Sequence, residues 1–288
     1  MTADPTAQDG RIRALADGHR LPLLGLGVWQ VPDGPVCVDA VRWALDAGYR
    51  HIDTAQQYGT EKGVGKAIAE SGIPRDELYI TSKLANRNHR PDDVRRSFDE
   101  TLDNLGVEQL DLFLIHWPLP TLYDGDYVST WLAMTELVEG GRLRTAGVSN
   151  FLPHHLDRII TETGLVPAVD QIEVHPHFAN TETATACARH GVAVEAWSPL
   201  GQGTELQDPV IAGIAEACDR SSAQVILRWH LQHGRIVVPK TTHRHRMEEN
   251  LALLDFELSA DQLASIDGLD QGESGRVGPH PEPVSWMP

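Results

Sequence analysis

One pattern constrains this chain more than any other. Short apolar runs rich in β-branched residues recur along it, each followed by a stretch with apolar residues at i, i+3 and i+4. The strand candidates are residues 23–25, 51–54, 79–83, 110–116, 145–148, 168–173, 193–197 and 236–239. Helix candidates between them include 36–47, 63–71, 92–105, 131–140, 153–163, 181–190 and 222–232. Boundary chemistry agrees: Pro91-Asp92-Asp93 opens one helix with acidic residues, and Gly48, Gly106 and Gly191 follow the ends of others. Eight strands alternating with about eight helices, with no break in composition, predict one (β/α)8 TIM barrel domain over residues 1–288. Residues 11–14 and 20–21 read as an N-terminal β-hairpin cap on its bottom. Residues 1–10 read as flexible, and the Gly- and Pro-rich segment 268–288 as a C-terminal tail over the barrel mouth. A doubly wound sheet is the competing architecture, but Gly25-Leu26-Gly27-Val28-Trp29 lacks the third glycine of its fingerprint and leads into no helix. Gly63-Val64-Gly65 opens a helix and lacks it too.

Composition narrows the partners. A formal net charge of −17 argues against nucleic acid, which wants a basic stripe. No apolar run approaches the roughly 20 residues that span a bilayer, so no membrane partner is expected. Residues 1–10 lack the basic-then-apolar pattern of a signal peptide. Cys37, Cys187 and Cys218, odd in number and far apart, suit free thiols in a reducing compartment and hence a cytoplasmic protein. Neither a coiled coil nor an exposed apolar stripe marks a dimer face, so a monomer is the default.

In a barrel, the C-terminal strand ends face the active site. Asp53, Lys83 and His116 close the second, third and fourth strand candidates, and Tyr58 follows Asp53 in the next loop. This combination suits proton donation to a carbonyl oxygen. A free phenol, with a pKa near 10, donates poorly at neutral pH, and a neighbouring ammonium favours the phenolate. An aspartate can hold that ammonium charged and in place, while an imidazole can hydrogen-bond the carbonyl oxygen. Singly, Asp53 and Lys83 read as an ordinary ion pair and His116 as a packed core histidine. Four such residues on one rim favour chemistry.

The stretch Gly48-Tyr49-Arg50-His51-Ile52-Asp53-Thr54-Ala55, followed by Tyr58-Gly59-Thr60-Glu61, resembles the signature of the aldo-keto reductases. The resemblance runs from about residue 21 to 280 and takes in Leu23-Leu24-Gly25-Leu26-Gly27, Gly147-Val148-Ser149-Asn150-Phe151, Gln171-Ile172-Glu173-Val174-His175-Pro176 and Val238-Pro239-Lys240-Thr241. It implies reduction of aldehydes and ketones to alcohols by hydride transfer from NADPH, returned as NADP+. Tyr58 would be the proton donor, tuned by Lys83 and Asp53, with His116 orienting the carbonyl.

The same resemblance implies that Ser149, Asn150 and Gln171 hydrogen-bond the nicotinamide carboxamide. Trp197 reads as a stacking platform for the nicotinamide ring or as plain core packing. The loop carrying Ser198, Leu200 and Gln202 reads as a cover for the pyrophosphate. Lys240, Arg246 and a hydroxyl of Thr241 or Thr242 would clamp a 2′-phosphate, the bland alternative being an exposed basic helix start. Glu249 and Asn250 match the family's adenine contacts.

Trp29, Trp117, residues 119–128 and residues 274–280 should shape the substrate pocket. Gly275-Arg276-Val277 with His280-Pro281, together with Trp197 and Gly201-Gln202-Gly203, resembles bacterial 2,5-diketo-D-gluconate reductases, suggesting a diketo sugar acid or a small dicarbonyl. Ala85 departs from that pattern, where those relatives carry a large aromatic, and implies a wider pocket. Gln56-Gln57 replaces smaller apolar residues and implies a more polar mouth. Two alternatives stand beside the reductase. One is a metal-dependent hydrolase using His51, Asp53, His116 and His175; the other is a non-catalytic NADPH-binding regulator.

Overall fold

The computed structural model of the chain describes residues 11–287; the expectation for residues 1–10 lies outside them. A short antiparallel pair comes first, β1 (Ile12–Ala14) with β2 (Arg20–Pro22). Eight parallel strands follow: β3 (Leu26–Gly27), β4 (His51–Asp53), β5 (Tyr79–Leu84), β6 (Leu110–Ile115), β7 (Leu143–Ser149), β8 (Val169–Glu173), β9 (Ala193–Trp197) and β10 (Ile236–Val237). Each is hydrogen-bonded to its sequence neighbour, from β3 through to β10.

Backbone bonds bring the two edges together. Gly25 N donates to Val237 O at 2.9 Å and Gly27 N to Pro239 O at 3.2 Å, and parallel bridges join Leu24 to Val237 and Gly27 to Lys240. A Cβ on Gly27 would sit 2.7 Å from the Val238 carbonyl, so only glycine lets the seam approach this closely. The fold is a (β/α)8 barrel with an N-terminal β-hairpin. Its first strand lies at Leu26–Gly27 rather than at 23–25, because residues 26–27 pair with β4 whereas Leu24 bridges to Val237 of the last strand.

Ten helices are present among the described residues: α1 (Pro35–Ala47), α2 (Glu61–Ser71), α3 (Pro91–Leu105), α4 (Tyr127–Glu139), α5 (Pro153–Thr163), α6 (Thr181–His190), α7 (Pro209–Cys218), α8 (Ser222–Gln232), α9 (Arg244–Leu251) and α10 (Ala260–Asp267). In α3 the buried residues Val94, Phe98, Leu102 and Leu105 recur at intervals of three and four, forming one stripe against the barrel. Each such side chain contributes roughly 1.5–3 kcal/mol of burial. Helices α7 and α10 were not among the sequence candidates although both carry a start signal. Asp208 accepts from the Val210 and Ile211 amides, and Ser259 with Gln262 forms a capping box.

Candidate active site

Strands β4 and β5 run side by side, pairing Asp53 with Thr81, and bring two charges together inside the mouth. Lys83 Nζ donates to Asp53 Oδ1 at 2.6 Å, to Oδ2 at 2.7 Å and to the Thr54 carbonyl at 2.9 Å. Burial would lower the Lys83 pKa, but Asp53 outweighs it and holds the ammonium above its ordinary value. Tyr58 ends a short helical turn after β4, with its ring centroid 5.0 Å from Lys83 Nζ. Its dense surroundings raise the phenol pKa despite the opposing pull of Lys83. The ammonium therefore limits the rise rather than lowering the phenol below its ordinary value, and Tyr58 keeps its proton at neutral pH.

His116, one residue past β6, packs edge-on to Tyr58, with centroids 5.6 Å apart. Burial and then the Lys83 charge push its pKa well down, so the ring is a neutral imidazole. The four rim residues expected from the sequence lie together.

On the other side of the mouth, Ser149 Oγ donates to Gln171 O at 2.7 Å, and Asn150 Nδ2 donates to His116 O at 2.9 Å. Trp197 Nε1 donates to Asn150 Oδ1 at 2.9 Å. Gln171 Nε2 bridges two carboxylates, donating to Asp53 Oδ2 and Glu195 Oε2 at 2.8 Å each. The fully buried Glu195 was missed in the sequence, although a glutamate inside a strand of Ala, Val and Trp is the kind of buried charge that invites a question. Burial first, then the Asp53 charge, raises its pKa to about 8.

A second buried cluster also went unread. His175 contacts Glu205 Oε1 through Nδ1 at 2.5 Å and Glu173 Oε1 through Nε2 at 3.0 Å. Burial lowers the ring pKa, but the two carboxylates outweigh that and raise it to about 9. Glu173 also accepts from Val277 N at 2.6 Å and from Gly278 N at 3.0 Å, and Arg276 Nη1 lies 3.8 Å away. The tail is tied to β8 there. A Cβ on Gly278 would run into the Trp197 ring, so the tail backbone lies directly against it.

Further along, Val284 is buried with Trp117 and Leu119. Trp286 meets Trp117 edge-on at 5.7 Å, and Asn86 Nδ2 donates to the Trp286 carbonyl at 3.0 Å. The tail thus runs from the end of β8 across to the ends of β5 and β6.

Two pocket expectations are corrected here. Ala85 is fully buried, so its small size opens no wall in this arrangement. Gln56 does not face the mouth with free polar atoms. Its Nε2 donates to Ser97 O and Thr101 Oγ1, both at 3.0 Å, and its Oε1 accepts from Ala85 N at 2.7 Å. Trp29 is 42% exposed while Trp117 is buried.

Beyond β10, Lys240 and Arg246 are exposed and make no ion pair among the described residues, whereas Arg244 pairs with Glu248. Thr241 is buried, Thr242 and Glu249 are half-buried, and Asn250 is buried against Tyr49. Ser198 and Gln202 hold left-handed backbone angles in the loop after β9, and Leu200 is half-buried there.

His51, Asp53, His116 and His175 do not form a ligand set. His51 Nε2 is bonded to Thr81 Oγ1 at 3.0 Å, and both nitrogens of His175 face glutamates. Among the described residues His154, His155 and Glu282 do gather. The Leu152 amide donates to His155 Nδ1 at 3.1 Å, so Nε2 carries the ring proton and offers no lone pair to a metal.

Residues 23–271 match the family model of the Aldo/keto reductase family. An aldo-keto reductase of Mycolicibacterium smegmatis is 48% identical, over 94% of this chain and 97% of its own length. The glyoxal reductase of Bacillus subtilis is 42% identical, over 96% and 98%. A crystal structure of a Gox0644 variant in complex with NADPH superimposes with a TM-score of 0.91 at 41% identity, covering 96% of this chain and 98% of that one. The chain belongs to the aldo/keto reductase family, and with the family comes its coarse activity, oxidoreductase chemistry at a carbonyl group. Among the described residues no helix is long and apolar enough to cross a membrane.

Proposed function

We propose that this protein reduces small aldehydes and 2-oxoaldehydes to alcohols with NADPH, with Tyr58 as proton donor. The observation that carries the reading is a protonated phenol 5.0 Å from a buried ammonium whose charge a single carboxylate neutralises from both oxygens. When bound, NADPH supplies the hydride to the carbonyl carbon. Tyr58 passes its proton to the carbonyl oxygen as negative charge grows there. Lys83 steadies the phenolate left behind, and Asp53 holds Lys83 in place. His116, neutral and wedged between Tyr58 and Trp117, offers a ring N–H to the same oxygen.

The chain's own groups suit this cofactor. Lys240 and Arg246 make no ion pair among the described residues of an acidic protein, and with Thr241 or Thr242 they would take a 2′-phosphate. Glu249 and Asn250 would face the adenine. Ser149, Asn150 and Gln171 would hold the carboxamide beside Trp197. Both N–H groups of Gln171 go to carboxylates, so its carbonyl is the end it offers. The loop of Ser198, Leu200 and Gln202 would cover the pyrophosphate.

Trp29, Trp117 and the tail would line the substrate pocket, and the kinship with a glyoxal reductase favours a dicarbonyl over a diketo sugar acid. Barrel, hairpin and tail form one domain in this reading. The free thiols Cys37, Cys187 and Cys218 and the acidic surface fit a monomeric cytoplasmic enzyme with small-molecule partners.

Turnover of a panel containing methylglyoxal, glyoxal, aromatic aldehydes, β-keto esters and a diketo sugar acid, each with NADPH and with NADH, tests the reading. NADPH oxidation fastest with the small dicarbonyls is expected. Cofactor oxidation with none of them would leave only a binding protein, and preference for NADH would sink the phosphate clamp.

A further inference from the structure

Resting on the proposed proton-donor role of Tyr58, we infer that Glu195 is a positioning residue for the reaction: a neutral carboxyl that shares the Gln171 amide with Asp53 and, on losing its proton, weakens Tyr58 as an acid. Three observations place it there. Glu195 is fully buried inside the barrel, on the strand next to Gln171, with which it is in register. Its Oε2 takes one N–H of Gln171 while Asp53 Oδ2 takes the other. Its Oε1 has no hydrogen-bond partner among the described residues and lies 3.6 Å from His51 Nε2.

Charge counting decides the protonation state. Among the described residues Lys83 is the one buried cation at this site, and Asp53 already neutralises it from both oxygens. An ionised Glu195 would be a second buried carboxylate without a cation, an arrangement the interior resists by holding the proton. The titratable and charged groups facing it are Asp53 and His51 of β4, Lys83 and Tyr79 of β5, and Tyr58 beyond them. On its flanks β8 offers Gln171 and β10 only Ile236. His51 does not supply the missing positive charge, since burial lowers its pKa to about 4. Glu195 itself is pushed up to about 8, so it is neutral at pH 7 and ionises in the mildly alkaline range.

The consequence is a switch on the donor. With Glu195 neutral, the Lys83 charge is free to steady the Tyr58 phenolate. Once Glu195 ionises, its field raises the Tyr58 pKa further and cancels part of that support. The carboxyl also forces both N–H groups of Gln171 inward, which keeps the Gln171 carbonyl toward the mouth.

Glu195→Gln is nearly isosteric and keeps a neutral side chain at every pH. Wild-type kcat/KM for methylglyoxal with NADPH should fall about tenfold across an alkaline limb centred near about pH 8. In Glu195→Gln that limb should be gone from this range, activity holding to at least about one unit higher. A second readout needs neither cofactor nor turnover. A carboxyl whose folded pKa lies above its unfolded value near 4.3 binds its proton more tightly in the native state, so it lowers stability as pH rises from that value to about 8. The Tm of Glu195→Gln should therefore gain on wild type through that window and stay level above it.

An unmoved limb overturns the inference, whatever the Tm does. So does a Tm difference that ignores pH, because then Glu195 holds no proton to lose. Wild-type protein that oxidises no NADPH would instead fail the proposed function, and the Tm series alone would still decide whether Glu195 is neutral.

Discussion

Two buried carboxylate clusters serve the same barrel mouth and are built in opposite ways. At the centre, Asp53 and Glu195 share the Gln171 amide, only Asp53 reaches the cation Lys83, and every member sits on a strand. At the rim, Glu173 and Glu205 close on His175, and Arg276 with the Val277 and Gly278 amides adds further donors. The rim cluster draws its members from a strand, a loop and the tail, so it works as a tie between separate segments. The central cluster has fewer positive groups than carboxylates and no loop that can move to repair the deficit. A rigid, under-neutralised site suits proton chemistry, while a well-supplied one suits holding parts together.

Breaking the centre should cost most. Lys83→Met leaves Asp53 buried without its cation, and equilibrium unfolding should show a loss of about 3–5 kcal/mol. Turnover should fall by about 10²–10⁴-fold as well, since the donor loses its tuning. A variant that kept wild-type stability would mean that the Asp53–Lys83 pair is far more hydrated than its geometry implies.

The rim should respond to pH instead. His175 is raised to about 9 in the folded chain against about 6.5 unfolded, so its contribution is full below the lower value and is lost as pH rises through the upper one. Urea unfolding should show wild type losing about 3 kcal/mol of stability across that window, with His175→Asn losing none of it. A parallel decline in both proteins would show that the tie does not depend on a charged ring.

Two smaller effects sharpen the contrast by leaving both clusters intact. Arg246→Ala should raise the KM for NADPH about tenfold, roughly 1.4 kcal/mol, and leave NADH kinetics alone; equal changes for both cofactors would remove the phosphate clamp. Trp286→Ala deletes the edge-on contact with Trp117 at the far end of the tail and should lower stability by about 0.5–1.5 kcal/mol. Because Glu173 still holds residues 276–278, limited proteolysis should then release only the last residues of the tail. Cleavage before Arg276 would show that the rim cluster is not the anchor.

The central site was legible in sequence because its residues obey a local rule. Asp53 and Lys83 end runs whose β-branched and apolar neighbours mark strands, and His116 follows another, so barrel geometry alone sends them to one rim. Glu195 and the rim cluster were not, for a different reason. Glu205 lies 30 residues from His175 and meets it only through the loop after β9, a contact with no local period. One of the two glutamines misled in a related way. Gln56 looked like a mouth residue because it adjoins Tyr58, but four hydrogen bonds turn it toward α3 and the turn after β5. Helix α9, read as a phosphate clamp or an exposed basic helix start, carries two buried residues on its inner face, Met247 and Asn250, too few to give a clear apolar stripe.

In the proposed reaction the Tyr58 proton completes carbonyl reduction. Single-turnover reduction of methylglyoxal by Tyr58→Phe, with NADPH affinity followed in parallel by quenching of tryptophan fluorescence, tests it most directly. Wild-type NADPH affinity and a rate lower by at least about 10²-fold are expected. A Phe variant that turns over within a few-fold of wild type would contradict it.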